Sequence, residues 1–336
     1  MAAIAVKGVG LVTSVGLTMA DSCAAFRAKV SNPTRTEFID SSGTPVMAHQ
    51  VPLHGAARGM HKLALMATMS VQEALQDVPK ESWGSLPLLL CVAEPERPGR
   101  QQGLEERLFG MIEDRLDAGF SQHSAVMPHG RVAVAVALAQ ARAILSERKA
   151  TQVVIATADS FITWPSLRHY EQNDRLLTER NPNGFMPGEG AGALLIGNGE
   201  PGELHIAGIG FGRDSAHIES TQPLRGDGLT AAIKSALRDA ELEMHEIDYR
   251  VAGVSGEQYF FKEASLAFDR SLRVREHSAE LWHPAESAGE TGAAAGALCA
   301  ALSFSAAAKR FSKGPAALVH LSNDREARAA IVFRMR

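Results

Sequence analysis

The amino-acid sequence predicts a layered α/β fold built from two related halves. Two segments, residues 130–148 and 292–312, are apolar on nearly every side of a helix. A helix with apolar residues on all sides is buried on all sides. Each segment is followed by one apolar strand and, further along the chain, by a second one. Two buried helices sandwiched between two sheets account for this pattern. The four strands are 152–158 and 191–196 in the first half, and 315–321 and 329–334 in the second.

Further elements follow from local patterns in chain order. Short apolar runs bounded by glycine or proline indicate strands, and apolar residues at helical spacing indicate helices. Asp21 or Ser22 is the expected N-cap of the first helix. The first half contains a strand at 3–12, helices at 21–30 and 61–75, a strand at 86–93 and a helix at 104–116. The second contains a strand at 203–210, a helix at 228–240 and a strand at 249–255. The glycine-rich segment 197–202 links residues 1–200 to residues 203–336, which together form one compact unit.

The composition excludes several classes of function. The chain has 336 residues, a net charge of −4 and a pI of about 6.3, so it lacks the basic footprint of a nucleic-acid-binding protein. No apolar run approaches the roughly 20 residues that span a bilayer, and the N-terminus lacks the pattern of a signal peptide. The three cysteines are too few for a disulfide framework and are not at metal-ligand spacing. We therefore expect a cytoplasmic protein without membrane association, cofactor or metal.

Two glycine-rich runs carry a resemblance to a known family. The run NGFMPGEGAG at residues 183–192 resembles the GF-x-x-GEGAG turn of β-ketoacyl synthases, in the thiolase superfamily. The run GETGAAAG at 289–296 is similar to their GHT-x-GAAG motif. The opening GVGLVTSVG at 8–16 and the Ile-Asp-Tyr segment at 247–249 also match that order of features. The resemblance implies a thiolase-like αβαβα fold. Its structural turn residues are Gly184, Phe185, Gly188, Glu189, Gly190 and Gly192.

The chemical positions of that family are replaced in this chain. A β-ketoacyl synthase uses a cysteine that carries the acyl group, two histidines and a backbone oxyanion hole. The cysteine position aligns with Met127 or, in a second register, with a residue near Val132, and no cysteine lies between Cys91 and Cys299. The first histidine position is Gly253 or Ser255. The second is Glu290, followed by Thr291, and the expected lysine is Ala285. The Gly-Phe-Gly-Gly turn falls at Ser-Asn-Asp-Arg-Glu, residues 322–326.

Several other residues have both a functional and a structural interpretation. His129 lies close to the former nucleophile position as a candidate base, but local packing in a loop is the simpler interpretation. Ser124 or Ser255 would need a His-Asp partner arrangement to act as a nucleophile, and the sequence shows none. Cys23, Cys91 and Cys299 are expected to be buried structural cysteines. Trp164, Tyr170 and the charged stretch 168–180 form either an interaction surface or a solvated face.

Two classes of function therefore remain. The first is a non-catalytic adaptor or chaperone-like protein. The short chain and its opening resemble the small ketosynthase-like proteins of bacterial type VI secretion loci, which implies a secretion effector or chaperone as partner. The second is a chain-length-factor-like subunit of a fatty-acid or polyketide synthase. A weaker third is a β-ketoacyl synthase-type acyltransferase with altered residues. The superfamily implies a homodimer or heterodimer, which we expect to form through an exposed edge at strand 152–158.

Overall fold

The computed structural model describes residues 3–53, 55, 57–274 and 279–336. Within these residues the chain forms a two-stranded hairpin and a ten-stranded mixed sheet. The strands in chain order are β1 Ile4–Val12, β2 Thr34–Ile39, β3 Pro45–Ala48, β4 Leu88–Cys91, β5 Ala125–Met127, β6 Gln152–Ser160, β7 Glu189–Asn198, β8 Leu204–Arg213, β9 Tyr249–Ala252, β10 Glu280–Trp282, β11 Ala316–Ser322 and β12 Ala327–Met335.

The helices alternate with these strands. They are α1 Met19–Arg27, α2 Gly59–Ala74, α3 Phe109–Leu116, α4 Ala133–Ser146, α5 Trp164–Gln172, α6 Asp227–Ala240, α7 Gln258–Ser271, α8 Ala285–Ala288 and α9 Ala295–Ala308. Helices α4 and α9 each begin with a short 3-10 turn, Gly130–Val132 and Gly292–Ala294 respectively. A π-helical turn, Leu104–Leu108, leads directly into α3.

The ten-stranded sheet consists of two halves with mirrored strand order. The order is β5-β4-β6-β7-β1 in the first half and β8-β12-β11-β9-β10 in the second. Each half therefore places its strands in the same succession from the centre of the sheet to its outer edge. The two halves join where Ile4 pairs with Ile206 and Ala5 with His205. The two predicted sheets are thus one continuous sheet, because β1 and β8 meet along this short antiparallel ladder.

The core is layered as the sequence predicted. One buried cluster contains α4, α9 and the inward side chains of both half-sheets, among them Val153, Ile155, Val319 and Ile331. A second cluster packs α2 and α3 against the outer face of the first half-sheet, and a third packs α6 against the outer face of the second. Alternate residues of β6, such as Val153 and Val154, enter opposite layers because side chains alternate across a strand. The predicted α/β thiolase-like αβαβα fold is confirmed.

Some local predictions were wrong. Strand β6 is not at an edge, because it pairs with β7 on one side and β4 on the other. The described edge of this half-sheet is the short strand β5. Helix α1 begins after Thr18, whose hydroxyl accepts a hydrogen bond from the Asp21 backbone N–H, so neither Asp21 nor Ser22 is the N-cap. The segment 164–172, for which the sequence predicted no helix, forms helix α5, because Leu167 and Tyr170 bury one of its faces.

Candidate functional site

The two glycine-rich motifs form one structural unit. The backbone N–H of Glu290 donates to Met186 O at 2.9 Å, and the N–H of Gly188 donates to Glu290 O at 3.0 Å. A Cβ atom at Gly188 would lie 2.2 Å from Ala288 O, so the close approach of the two turns requires glycine there. These contacts place Glu290 beneath the GEGAG turn and at the entry to α9.

The Glu290 side chain is buried and fully occupied by hydrogen-bond donors. It is 1% exposed. Its Oε1 accepts the backbone N–H of Gly292 at 2.7 Å, and its Oε2 accepts Ser255 Oγ at 2.5 Å and Arg131 Nε at 3.0 Å. Arg131 Nη2 also lies 2.9 Å from Oε2. A carboxylate held in this way is a hydrogen-bond acceptor only, whereas a neutral histidine at this position can donate a hydrogen bond.

Arg131 extends this contact into a buried network of alternating charges. Its Nη1 donates to Asp324 Oδ1 at 2.7 Å, and Arg175 Nη1 donates to Asp324 Oδ2 at 2.8 Å. Arg175 in turn forms a bidentate pair with Glu257, with both distances 2.7 Å. Burial alone would raise the pKa of Asp324, but the guanidinium groups of Arg131 and Arg175 hold it well below its usual range. We call the set Arg131, Arg175, Glu257, Glu290 and Asp324 the charge network.

A second buried pair lies beside the charge network. Arg97 Nη2 lies 2.8 Å from Asp159 Oδ1, and Asp159 Oδ2 accepts the backbone N–H of Ala293 at the start of α9. The ring of Phe161 packs near both guanidinium groups, with its centroid 4.6 Å from Arg97 Cζ and 5.8 Å from Arg131 Cζ. The region therefore holds three arginines that are each matched by buried carboxylates.

Little space is left at this centre. The gap bordered by Ser255, Glu290, Ala285 and Cys299 has a volume of about 10 Å³. That volume is at the lower limit for a single water molecule, so an acyl chain cannot enter without rearrangement. Cys299 borders the gap from α9, and both burial and the nearby Glu290 carboxylate raise the pKa of its thiol. It is therefore protonated at neutral pH.

The structure brings some of the predicted site residues together and separates others. Ser255 and Glu290 meet through a hydrogen bond, and Gly253 and Thr291 border the same gap. Met127 ends β5 and is half-buried, while Val132 is buried at the start of α4. His129 precedes α4 with an exposed side chain, and only its carbonyl joins the site, accepting from Asn323 Nδ2 at 2.9 Å.

No nucleophile–base pair is formed by the described part of the chain at these positions. Ser124 Oγ donates to Ser121 O and accepts the Leu88 N–H, which are structural contacts. No described histidine ring bonds to Ser255, Glu290 or Asp324. Within the same residues, no three His, Cys, Asp or Glu side chains come close enough together to hold a metal ion. No helix of the described chain has both the length and the apolar character to cross a bilayer.

The network partners of Glu290 were missed in the sequence. Arg131 and Glu290 are 159 residues apart, and Arg131 and Asp324 are 193 apart, so no local pattern joins them. The sequence does contain two signals of these partners. An arginine lies within an otherwise apolar helix entry, and an Asn-Asp pair directly follows the apolar strand β11. Glu189 of the GEGAG turn is also buried, accepting the Val51 N–H at 2.9 Å, Ser160 Oγ at 3.1 Å and the Lys62 ammonium group.

Comparison with known proteins gives structural neighbours only. No protein-family profile and no curated protein sequence matches the chain. A structure of a type II PKS acyl-carrier protein in complex with its ketosynthase has a TM-score of 0.82 at 16% identity, covering 100% of this chain and 99% of that one. A β-ketoacyl synthase from Burkholderia phymatum STM815 has a TM-score of 0.78 at 17% identity, with 100% of both chains covered.

The ishigamide ketosynthase/chain length factor has a TM-score of 0.73 at 19% identity, with 99% of each chain covered. Such identities establish the fold and leave the activity open. This chain therefore has the thiolase-like fold of the β-ketoacyl synthases.

Proposed function

We propose that this protein is a non-catalytic ketosynthase-like protein that acts by binding another protein, as an adaptor or chaperone. The observation that carries the proposal is the ion pair between Arg131 and Glu290. At the position of the second ketosynthase histidine, Glu290 presents a buried carboxylate. Both of its oxygens already accept hydrogen bonds.

Condensation has two requirements that this arrangement lacks. The acyl group needs a thiolate at the start of the first central helix, and that helix begins with Gly130, Arg131 and Val132. The donor enolate needs neutral hydrogen-bond donors, and Glu290 presents a carboxylate instead. A gap of about 10 Å³ leaves no room for either substrate.

The partner class that we propose is a type VI secretion effector or a chaperone that accompanies it. The support is the resemblance of the short chain and its opening to the small ketosynthase-like proteins of those loci. Three free, buried cysteines agree with action in a reducing cytoplasm.

The second candidate is a chain-length-factor-like subunit that pairs with an active ketosynthase. It is favoured by the names of two neighbours, the ishigamide ketosynthase/chain length factor and a Xenorhabdus doucetiae ketosynthase in complex with its chain length factor. The latter has a TM-score of 0.73 at 13% identity, covering 100% of this chain and 98% of that one.

Affinity purification of the tagged protein from its native cells, followed by mass spectrometry, separates the two candidates. A secretion effector or chaperone supports the adaptor function. An acyl carrier protein or active ketosynthase supports the synthase subunit and contradicts the adaptor function.

A turnover assay tests the non-catalytic proposal directly. The purified protein is incubated with acyl and malonyl thioesters, and both thioester hydrolysis and condensation are followed. We expect no turnover above that of buffer. Turnover that is present in the wild type and lost in Glu290→Gln would overturn the proposal.

A further inference from the structure

The first turn of α5 presents an aromatic side chain to solvent. Trp164 is 52% exposed, and its ring centroid lies 6.2 Å from that of Phe38 on β2. We call Phe38, Trp164 and Arg168 the tryptophan surface. Phe38 is half-buried and Trp164 is exposed, so the two rings present apolar area to solvent beside a cation. Exposed apolar area of this kind is a candidate binding site.

The surrounding structure holds Trp164 in a fixed position. Thr163 caps α5 by accepting the Ser166 N–H at 3.3 Å, and its own hydroxyl donates to Gly99 O at 3.3 Å. On the inner face of α5, Leu167 and Tyr170 are buried in a cluster with Phe161 and other apolar residues. The helix is therefore anchored, and the outward direction of Trp164 does not depend on a mobile segment. A rigid aromatic side chain loses little conformational entropy when a partner binds.

Two positively charged side chains near the tryptophan surface lack an ion-pair partner among the described residues. Arg168 lies with Cζ 5.5 Å from the Trp164 ring centroid and forms no ion pair with any described residue. Arg35 on β2 likewise forms none within the described chain, whereas the neighbouring Glu37 is paired with Arg58. Within the described chain, two cations thus remain without a carboxylate partner near the half-buried Phe38 and the exposed Trp164. A ligand that complements this surface carries an anionic group next to an apolar group.

A cavity next to the tryptophan surface is large enough for a side chain. It has a volume of about 400 Å³ and is bordered by Arg35, Phe38 and Thr163, with the Lys62–Glu189 ion pair also lining it. Phe38 belongs both to the cavity wall and to the tryptophan surface. A partner segment that stacks on Trp164 can therefore insert a neighbouring side chain beside Phe38.

We infer that the tryptophan surface is the docking site for a protein segment that carries a bulky apolar side chain next to an aspartate or glutamate. The inference rests on the proposed function, because it assigns the partner-binding surface of a protein that acts by binding. Trp164 supplies the apolar contact area, and Arg35 and Arg168 select the carboxylate. Tryptophan and arginine are the residue types that most often dominate the affinity of a protein interface.

The test uses the purified protein to select binding peptides from a library of defined peptide length. A random 12-residue peptide library is displayed on phage, bound to the immobilised wild type and sequenced. We expect enrichment of sequences with Trp, Phe or Leu beside Asp or Glu. Enriched peptides are then synthesised, and their Kd values are measured with the wild type and variants. Trp164→Ala should weaken binding at least about tenfold, as is typical of a central interface residue.

Two further variants make the test specific. Phe211→Ala removes another exposed aromatic side chain, 45% exposed on β8, and should leave Kd unchanged. Arg168→Glu should weaken binding at least about fivefold, and a peptide with Lys in place of its acidic residue should recover affinity for this variant. Circular dichroism establishes that each variant is folded.

Three results would overturn the inference: no enriched motif, enrichment of basic peptides, or peptides that bind Trp164→Ala as well as the wild type. A change in oligomeric state of Trp164→Ala would assign the surface to contact between two copies instead. The proposed function is judged separately, by whether the wild type captures a partner in its native cells. Capture that is unaffected by Trp164→Ala leaves the function intact and removes the docking site.

Discussion

At the scale of single residues, the buried carboxylate of Glu290 determines the character of the whole centre. The carboxylate needs a buried cation, and Arg131 from the start of α4 supplies it. Arg131 then needs a second anion, because burial of a guanidinium is costly unless its donors are matched. Asp324, in the turn between β11 and β12, fills that role. The three charged residues are therefore physically linked, because each one offsets the burial of its neighbour.

The three thiols give a first prediction at this scale. Cys23 is 1% exposed, and burial raises its pKa to about 12. Cys91 and Cys299 are also fully buried, with pKa values raised by burial. We expect no reaction of the native protein with a thiol reagent such as DTNB at pH 8, and three equivalents in guanidinium chloride.

An introduced surface thiol serves as the control for this prediction. Ala231→Cys, at an exposed position on α6, should react rapidly with one equivalent in the native state. Fast reaction of one equivalent in the unmodified protein would contradict the buried positions and would reopen the question of a nucleophilic cysteine.

A buried histidine gives a second prediction. His320 on β11 is 3% exposed, and its Nε2 has no hydrogen-bond partner in the described structure. Burial, with a smaller effect from Arg250, lowers its pKa to about 3. The unfolded chain, with a histidine pKa of about 6.5, therefore binds one more proton between pH about 6.5 and about 3. As the pH falls through that range, His320 should lower the free energy of unfolding by about 1.4 kcal/mol for each pH unit.

The comparison of His320→Leu with the wild type isolates this effect. Urea unfolding at pH 7 and pH 5 should show a smaller loss of stability for the variant, since its unfolded state has one titrating group fewer. His49, whose pKa is lowered by burial to about 4, remains in both proteins and contributes equally. Identical losses in the two proteins would mean that His320 is protonated in the folded state.

At the scale of elements, the charge network connects segments that are distant in sequence. Arg131 begins α4, Glu290 precedes α9, Asp324 lies between β11 and β12, and Arg175 follows α5. Both central helices are therefore fixed at their N-terminal ends by the same guanidinium group. A buried ion pair of this kind contributes less to stability than its Coulomb energy, but loss of one partner leaves a charge unmatched.

Removal of that guanidinium group is the third prediction. Arg131→Met leaves Glu290 buried without a cation, and we expect the free energy of unfolding to fall by about 3–5 kcal/mol. The measurement is equilibrium unfolding in urea. The matched control is Arg270→Met, which breaks the half-exposed ion pair with Asp227 and should cost less than about 1 kcal/mol. Equal losses of unfolding free energy in the two variants would mean that the charge network stabilises the fold no more than a half-exposed ion pair does.

The sequence predicted regular elements well where one period dominates over a long segment. Both central helices, β6, β7, β11 and β12 lie within a few residues of their predicted bounds. The sequence did not predict the 14-residue helix α7, and the other missed elements are short or mixed in character. Strands β5 and β10 have three residues each, and the charged face of α5 conceals the two residues, Leu167 and Tyr170, that bury it. Too few residues repeat in such segments for periodicity to show.

The sequence indicated Glu290 as a site residue but not the residues that surround it. The glycine motifs fixed the position of Glu290, because their spacing is local. The partners of Glu290 come from other parts of the chain, and ion pairs between such distant residues depend on the tertiary fold. The same limit explains why β6 was taken for an edge strand. Its apolar character shows that it is buried, but only the strand order shows that β4 and β5 lie beyond it.

At the scale of the whole molecule, the mirrored strand order leaves one short strand at each end of the sheet. Among the residues that the structure describes, β5 pairs with β4 alone and β10 pairs with β9 alone. An open edge exposes unpaired backbone N–H and C=O groups, which a second strand can satisfy. A two-fold axis beside either strand would extend the sheet across two copies.

We predict that the protein dimerises through β5, because the dimer expected from the fold needs an open edge and β6 does not provide one. Sedimentation should give twice the chain mass of 35.9 kDa. Ala125→Lys places like charges opposite each other across the axis and should shift the mass to 35.9 kDa. Glu280→Lys makes the same change at the first, exposed residue of β10, and should leave the dimer intact. Dissociation by Glu280→Lys alone would assign the interface to the opposite end of the sheet, and a wild-type monomer would leave both edges free for a different partner.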